Sequence, residues 1–170
     1  MSYDSLTHLA AAARPFVAVI DPDDPKFLHP GDMPSRITKY CLETHQEAPQ
    51  TKGEMIRLLL ESIALKYRWV LDGLEQVAGK SFAPIHIIGG GSKNWLLNQF
   101  TADATNRPVI TGPVEATAVG NAMMQAISLG HFSSLSEARI AVRDSFEVNE
   151  YYPARRDGWD EAYQKLLRSL

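Results

Sequence analysis

The sequence is poor in cysteine and in long apolar runs, and each shortage excludes a class of protein. One cysteine, Cys41, among 170 residues rules out an internal disulfide framework and fits a reducing compartment. No apolar run approaches the ~20 residues of a membrane-spanning helix. The opening residues, "MSYDSLTHLAAAARP", start acidic and lack the basic segment of a secretory signal. We therefore expect a cytoplasmic protein with no membrane partner.

Positive charge is also in short supply. With 17 Lys and Arg residues against 20 Asp and Glu residues, the formal net charge is −3. Nucleic-acid-binding domains usually carry a basic patch, so we expect no nucleic-acid partner. Hydrophobic residues at 45% and charged residues at 22% are ordinary for a folded chain. The length suits one domain, or one lobe of a larger protein.

Four aspartates lie in residues 21–34, "DPDDPKFLHPGDMP", and could suggest a calcium site. A calcium loop of the EF-hand type needs a central Gly and a Glu at its twelfth position, and that pattern does not occur in this segment. The prolines instead indicate an extended segment with turns. We expect these carboxylates to cap turns and helices, and we predict no metal ligands.

The longest predicted element is a helix from Thr51 to Ala78. Thr51 and Glu54 match a capping box, and Gly79 can end the helix. Apolar residues recur at steps of three and four, which predicts one apolar face along a helix of roughly seven turns. These residues are Ile56, Leu60, Ile63, Tyr67, Val70, Leu74 and Val77. Shorter helices are predicted near residues 4–13, 35–45, 115–129, 133–144 and 157–167.

Two short apolar segments, "IHII" at residues 85–88 and "PVI" at 108–110, are predicted to be strands. A helix between them is expected to begin at Ser92 or Lys93 and to end at Asn106 in the left-handed conformation. The order strand–helix–strand–helix with short loops predicts a small parallel sheet flanked by helices. Because helices dominate the rest of the chain, the expected fold class is a helix-rich α/β fold.

Three consecutive glycines, Gly89, Gly90 and Gly91, stand between the first predicted strand and its helix. Glycine costs backbone entropy there unless a tight turn or a close neighbour requires it. A strand, a glycine turn and a helix together gather backbone N–H groups and the positive end of the helix dipole, which is an arrangement that binds phosphate. The glycines therefore indicate a candidate nucleotide site.

Three familiar glycine loops fail at a residue that their mechanism needs. A dinucleotide-binding loop requires a third glycine where Asn94 stands, and position 111 lacks the acidic residue for the ribose. A Walker A loop requires Gly-Lys-Ser/Thr, whereas Ser92 precedes Lys93 here. A nucleophile elbow requires a glycine in place of Asn94.

A fourth interpretation of the glycine loop fits the sequence better than these three. The segments "IHIIGGGSKNWLLNQFTADATNRPV" and "GPVEATAVGNAMMQA" resemble the C-terminal, ATP-binding lobe of the FGGY family of carbohydrate kinases. "IDPDDPKFLHPGDMPSRI" and "ESIALKYRWVL" are similar to the branch that phosphorylates L-rhamnulose at its 1-hydroxyl. The resemblance spans about residues 16–153. It implies part of an actin-like ATPase (ribonuclease H-like) lobe.

The resemblance also implies roles for individual residues. The glycine loop would pass over the adenosine and α-phosphate of ATP, with Gly90 and Gly91 letting the backbone approach the nucleotide. Ser92 would cap the following helix or touch the ribose or phosphate, and Asn94 would face the adenine. Gly120, four residues after Ala116 on the next helix, would allow close packing against the glycine loop beside the adenine. Gly89 is the remaining residue of this expected nucleotide-binding set.

The FGGY resemblance further implies parts that this sequence does not contain. The family's N-terminal lobe supplies the sugar site and a catalytic aspartate, and a Thr/Ser-Gly turn binds the outer phosphates with Mg²⁺. We expect a truncated lobe that lacks the first antiparallel strands of its sheet, has no catalytic residue of its own and is inactive alone. A xylulose, glycerol or fuculose kinase lobe, or a non-catalytic interaction module, remains an alternative.

The expected organisation is a single domain over 1–170. It comprises an entry segment at 1–50, a nucleotide-binding core at 51–153 and a C-terminal helix at 154–170. A sheet without its first strands exposes unpaired backbone groups, so we also expect self-association as a homodimer through the long helix.

Overall fold

The computed structural model describes residues 2–170, and seven helices and three short strands make up this part of the chain. The helices are α1 (Tyr3–Ala12), α2 (Met33–Glu43), α3 (Lys52–Ala78), α4 (Trp95–Thr105), α5 (Ala116–Ser128), α6 (Leu135–Ser145) and α7 (Trp159–Leu167). The strands are β1 (Ile85–Ile87), β2 (Val109–Thr111) and β3 (Glu150–Tyr151), and short 3₁₀ turns occupy Pro25–Phe27 and Gly89–Lys93. The helix-rich α/β prediction is confirmed.

The sheet is mixed rather than purely parallel. β1 and β2 run parallel, with Ile85 opposite Val109 and Ile87 opposite Thr111. β3 then pairs with β2 in the antiparallel direction and gives the order β1-β2-β3. The pairing of β3 was not predicted, because a two-residue pairing across about 40 residues of chain leaves no local signal in the sequence.

Helix α3 begins as its capping residues predict. The Thr51 hydroxyl accepts a hydrogen bond from the backbone N–H of Glu54 at 3.1 Å. The Glu54 carboxylate accepts from the N–H of Gln50 at 2.8 Å, and this bond is the main cause of a lowered pKa for Glu54. Gly79 ends the helix in the left-handed conformation. A capped start and a glycine stop therefore set the 27 residues of α3.

The predicted apolar face of α3 lies in the core over only its first half. Leu60 is buried, and Ile56 and Ile63 pack against the main core with α1, α4 and α7. Leu58, on another face, belongs to a second cluster with α2, Ala18 and Ile20. The remaining residues of the predicted face, Tyr67, Val70, Leu74 and Val77, are exposed. The apolar repeat is present along the helix, but no described element covers this face of its last three turns.

A buried ion pair ties the end of α1 to α3. Arg57 Nε donates to Glu61 Oε1 at 2.7 Å, and Arg57 also donates to the carbonyls of Ala10, Ala11 and Ala13 at the end of α1. The other carboxylate oxygen of Glu61 accepts from the N–H of Phe16 at 2.9 Å. Burial raises the pKa of Glu61 in spite of the favourable charge of Arg57.

Helix α7 is fastened to α3 by polar contacts around an aromatic ring. The Tyr163 hydroxyl donates to Asp72 at 2.7 Å, and Arg68 lies 4.2 Å from the centre of the Tyr163 ring. Arg68 also forms an ion pair with Asp160 at 2.7 Å. Burial raises the pKa of the Tyr163 phenol.

Within residues 2–170, no helix combines the length and apolar character that crossing a membrane requires.

Candidate functional site

The glycine turn lies at the carboxyl edge of the two parallel strands. β1 ends at Ile87, and the 3₁₀ turn Gly89–Lys93 follows at once. Gly89 has φ +76°, a conformation that other residues rarely adopt. Its N–H donates to the carbonyl of Pro113 at 3.1 Å, while the N–H of Gly112 donates to the carbonyl of Ile87 at 2.9 Å. The turn after β1 is thus fastened to the loop that follows β2.

Gly90 and Gly91 have no such backbone requirement. A Cβ built at Gly90 meets no described atom within 4 Å, and one built at Gly91 meets Ile87 Cγ2 at an ordinary 3.7 Å. Neither residue has a positive φ. The fold therefore does not itself explain a glycine at position 90, and the surface above that backbone is open.

Ser92 closes the turn rather than starting the next helix. Its hydroxyl donates to the carbonyl of Gly89 at 2.7 Å. Neither Ser92 nor Lys93 opens α4, which was the expectation, because both residues belong to the 3₁₀ turn. α4 begins at Trp95 and ends, as predicted, with Asn106 in the left-handed conformation.

Asn94 is the cap of α4. The residue is buried, and its Oδ1 accepts a hydrogen bond from the N–H of Leu97 at 3.1 Å. Its Nδ2 lies 3.5 Å from the hydroxyl of Tyr3, a distance at the outer limit of a hydrogen bond. The carbonyl end of the Asn94 side chain is therefore committed to the helix, and the amino end keeps unused donor capacity.

Asn98, one turn further along α4, is a buried polar residue that the sequence did not single out. Its Nδ2 donates to the carbonyl of Ser92 at 2.9 Å, and this bond holds the glycine turn against α4. Its Oδ1 has no hydrogen-bond partner within residues 2–170. An asparagine between Leu97 and Phe100 gives no pattern that would distinguish a buried brace from an exposed polar position.

Gly120 lies apart from the glycine turn. A Cβ built at Gly120 meets nothing within 4 Å, so the expected close packing of α5 against the glycine loop is not observed. Gly120 and Ala116 instead line an apolar cavity of about 410 Å³ with Ile88 and Pro113, whose far wall comes from α6.

A second cavity, of about 490 Å³, lies on the other side of Pro113. Ser92, Lys93, Gly112 and Glu115 contribute to its walls. The structure thus brings the glycine turn together with residues 112–115, and Pro113 separates that cavity from the one beside Gly120. Neither cavity is lined by both the glycine turn and Gly120.

The part of the chain that the structure describes offers no ligand set for a metal. No group of three or more His, Cys, Asp or Glu side chains within residues 2–170 could hold a metal ion. The described residues therefore provide no metal site built from protein ligands alone, and no chemical step is assigned to a metal on this chain.

The fold of the chain is similar to that of solved sugar kinases. The chain superposes on xylulose kinase from Rhodospirillum rubrum with a TM-score of 0.68 and 21% identity, over 98% of this chain and 33% of that one. It superposes on Plasmodium falciparum glycerol kinase, solved with ADP, with a TM-score of 0.64 and 18% identity, over 96% and 31%. Identities this low show a shared fold alone.

Residues 2–129 match the family described as "FGGY family of carbohydrate kinases, C-terminal domain". This chain belongs to that family. Its curated relatives include rhamnulokinases from Bacteroides thetaiotaomicron, 42% identical over 95% of this chain, and from Bacillus subtilis, 38% identical over 89%. These matches cover 33% and 31% of the relatives, so the chain spans about a third of their length.

Proposed function

We propose that this chain is the adenine-nucleotide-binding part of a rhamnulokinase-like sugar kinase. The observation that carries the proposal is the 35–42% identity to rhamnulokinases over 84–98% of the chain. The full-length reaction would transfer the γ-phosphoryl group of ATP to the 1-hydroxyl of L-rhamnulose, giving ADP and L-rhamnulose 1-phosphate. The cytoplasm is the proposed site of this reaction.

The glycine turn is proposed to receive the adenosine end of the nucleotide. The backbone of Gly90 lies open and would let a ribose or phosphate approach without a Cβ in the way. The buried Asn94 keeps amino donor capacity beside the turn, which suits a ring nitrogen of adenine. The apolar cavity that Ala116 and Gly120 line offers a surface for the flat face of the base.

The remaining two thirds of a full-length kinase would supply the sugar site, the catalytic base and the groups that hold Mg²⁺ and the outer phosphates. Phosphoryl transfer depends mainly on positioning and on electrostatic stabilisation of the transferred group. The role proposed for this chain is positioning: it holds the adenosine so that the γ-phosphate reaches the sugar bound elsewhere. No residue of this chain is assigned as a catalytic acid or base.

A segment exchange tests the proposal. The matched third of the Bacteroides thetaiotaomicron rhamnulokinase is replaced by this chain, and ADP release is followed with L-rhamnulose and ATP. We expect turnover in the usual kinase range of about 1–100 s⁻¹. The same chimera with Gly90→Val should lose most of its activity, whereas Gly73→Val, at an exposed glycine with equally open surroundings, should not. A folded chimera with no turnover, beside an active parent enzyme, would contradict the proposal.

A further inference from the structure

Three carbonyl groups of the glycine turn are held by donors that follow them in the chain. The carbonyl of Gly89 accepts from the Ser92 hydroxyl at 2.7 Å, and the carbonyl of Gly91 accepts from the N–H of Asn94 at 3.1 Å. The carbonyl of Ser92 accepts from Nδ2 of Asn98 at 2.9 Å. Ser92 belongs to the turn and Asn94 is the cap of α4, so of these three donors Asn98 is the one that comes from inside the helix.

Asn98 occupies a position that hides its polar atoms completely. The residue is 0% exposed, and its Oδ1 has no hydrogen-bond partner within residues 2–170. These residues already enclose the oxygen and leave it no contact with solvent. The opposite orientation of the carboxamide would set Oδ1 against the carbonyl oxygen of Ser92, so the bond to Ser92 decides which way the side chain faces.

The unpaired oxygen makes asparagine a poor choice for packing alone. A buried acceptor without a donor destabilises a fold. Leucine has nearly the same branched shape and no polar atom to bury, so the core by itself would favour leucine at position 98. What asparagine supplies, and leucine cannot, is the donor to the Ser92 carbonyl. The benefit of Asn98 therefore lies in the glycine turn and not in the core.

The bond from Asn98 fixes one end of the glycine turn. Because a peptide group is planar, holding the Ser92 carbonyl also fixes the plane that it shares with the N–H of Lys93. At the other end of the turn, the N–H of Gly89 is held by the carbonyl of Pro113. The two glycines between these fixed points have no side chains to restrain them, and glycine loses more backbone freedom on ordering than any other residue.

We propose that Asn98 is a positioning residue for nucleotide binding, which holds the glycine turn in its binding shape before the nucleotide arrives. Order that is already present in the free chain does not have to be created on binding, so affinity rises without any contact between Asn98 and the ligand. This inference rests on the proposed function, because the turn is the proposed adenosine site.

The mobility of the turn in the nucleotide-free chain gives the first test. In Asn98→Leu, the backbone order parameters of Gly90 and Gly91, measured by NMR relaxation, should fall from about 0.85 to below about 0.6. Thr101→Val is the matched control: Thr101 is also 0% exposed on α4, but its hydroxyl donates to the carbonyl of Leu97 within the helix. The control should leave both glycines ordered. Unchanged order parameters in Asn98→Leu overturn the inference, whether or not the chain binds nucleotide.

Stability and affinity give the second test, because Asn98→Leu should change them in opposite directions. This variant should unfold at the same urea concentration as the parent or a higher one, yet bind ADP about fivefold to tenfold more weakly. Thr101→Val should bind ADP like the parent. A variant Asn98→Leu that fails to fold, or that loses stability together with affinity, would mean that the core needs the asparagine and contradicts the inference. A parent chain that binds no ADP, but whose turn loses order in Asn98→Leu, would contradict the proposed function and still support the hold of Asn98 on the turn.

Discussion

The Oδ1 of Asn94 and the N–H of Leu97 are joined by a 3.1 Å hydrogen bond that caps helix α4. This bond places a residue expected to face adenine in a structural position. The two roles are compatible because they use opposite ends of the carboxamide: the oxygen serves the helix, and the nitrogen lies near Tyr3 with donor capacity to spare. Substitutions at position 94 can therefore separate folding from binding.

Asn94→Ala should lower the free energy of unfolding by about 1 kcal/mol, the usual cost of removing a side-chain cap. Asn94→Asp keeps an acceptor for the Leu97 N–H and should retain most of that stability, yet it replaces the amino donor by a carboxylate oxygen and should weaken adenine-nucleotide binding. Urea denaturation measures the first effect and calorimetry the second. An aspartate variant that binds ADP as well as the parent would remove Asn94 from the proposed site.

Two glycines of α3 offer a matched test of how closely α1 packs against it. A Cβ at Gly53 would lie 2.6 Å from the carbonyl oxygen of Leu9, whereas a Cβ at Gly73 meets nothing within 4 Å. Gly53→Ala should therefore destabilise the chain, because a helix backbone has to move. Gly73→Ala should stabilise it by about 0.5–1 kcal/mol, the helix propensity difference between the two residues. Thermal denaturation of both variants is the measurement, and two shifts of the same sign would contradict the packing described.

The buried carboxyl of Glu61 should make stability depend on pH. Burial raises its folded-state pKa above the ordinary value of 4.5, so the folded state holds the proton more tightly than the unfolded state does. The stabilising contribution is therefore complete below pH 4.5 and is lost as the pH rises through the higher folded value. Glu61→Gln, which cannot ionise, should gain stability relative to the parent over that rise. Urea unfolding across the acid range decides: a difference that stays flat or falls with pH would be inconsistent with a raised pKa.

Local signals in the sequence predicted the elements that depend on local chemistry. Thr51 caps α3, and Gly79 and Asn106 end α3 and α4, because each feature is decided within a few residues of chain. The two parallel strands and the glycine turn were also predicted. The division of the chain into three segments stays a prediction.

Features that depend on distant neighbours were missed or misassigned. The apolar repeat from Ile56 to Val77 is real, but which half is covered depends on where α1, α4 and α7 pack. The start of α4 was predicted at Ser92 or Lys93 because the 3₁₀ turn that contains both residues was not foreseen. Gly120 was expected to touch the glycine loop, whereas Pro113 and the cavities on either side of it separate the two.

The 170-residue chain alone should show no sugar kinase activity. It spans about a third of the rhamnulokinases that it resembles, and the groups proposed to hold sugar, Mg²⁺ and outer phosphates lie in the other two thirds. A coupled assay of ADP release with L-rhamnulose and Mg-ATP should remain at the level of a control without sugar. Turnover near the usual ~1–100 s⁻¹ of kinases would show that the chain carries its own catalytic groups.

Calorimetry of the parent chain with ATP, ADP and AMP is the measurement that tests the central claim, adenosine binding at the glycine turn, most directly. We expect weak binding with similar affinity for all three nucleotides, because the turn would contact the adenosine and α-phosphate that they share. Gly90→Val should abolish this binding and Gly73→Val should leave it intact, since both positions have room for a Cβ within the fold. A strong preference for ATP, or no binding of any nucleotide by the folded chain, would contradict the account.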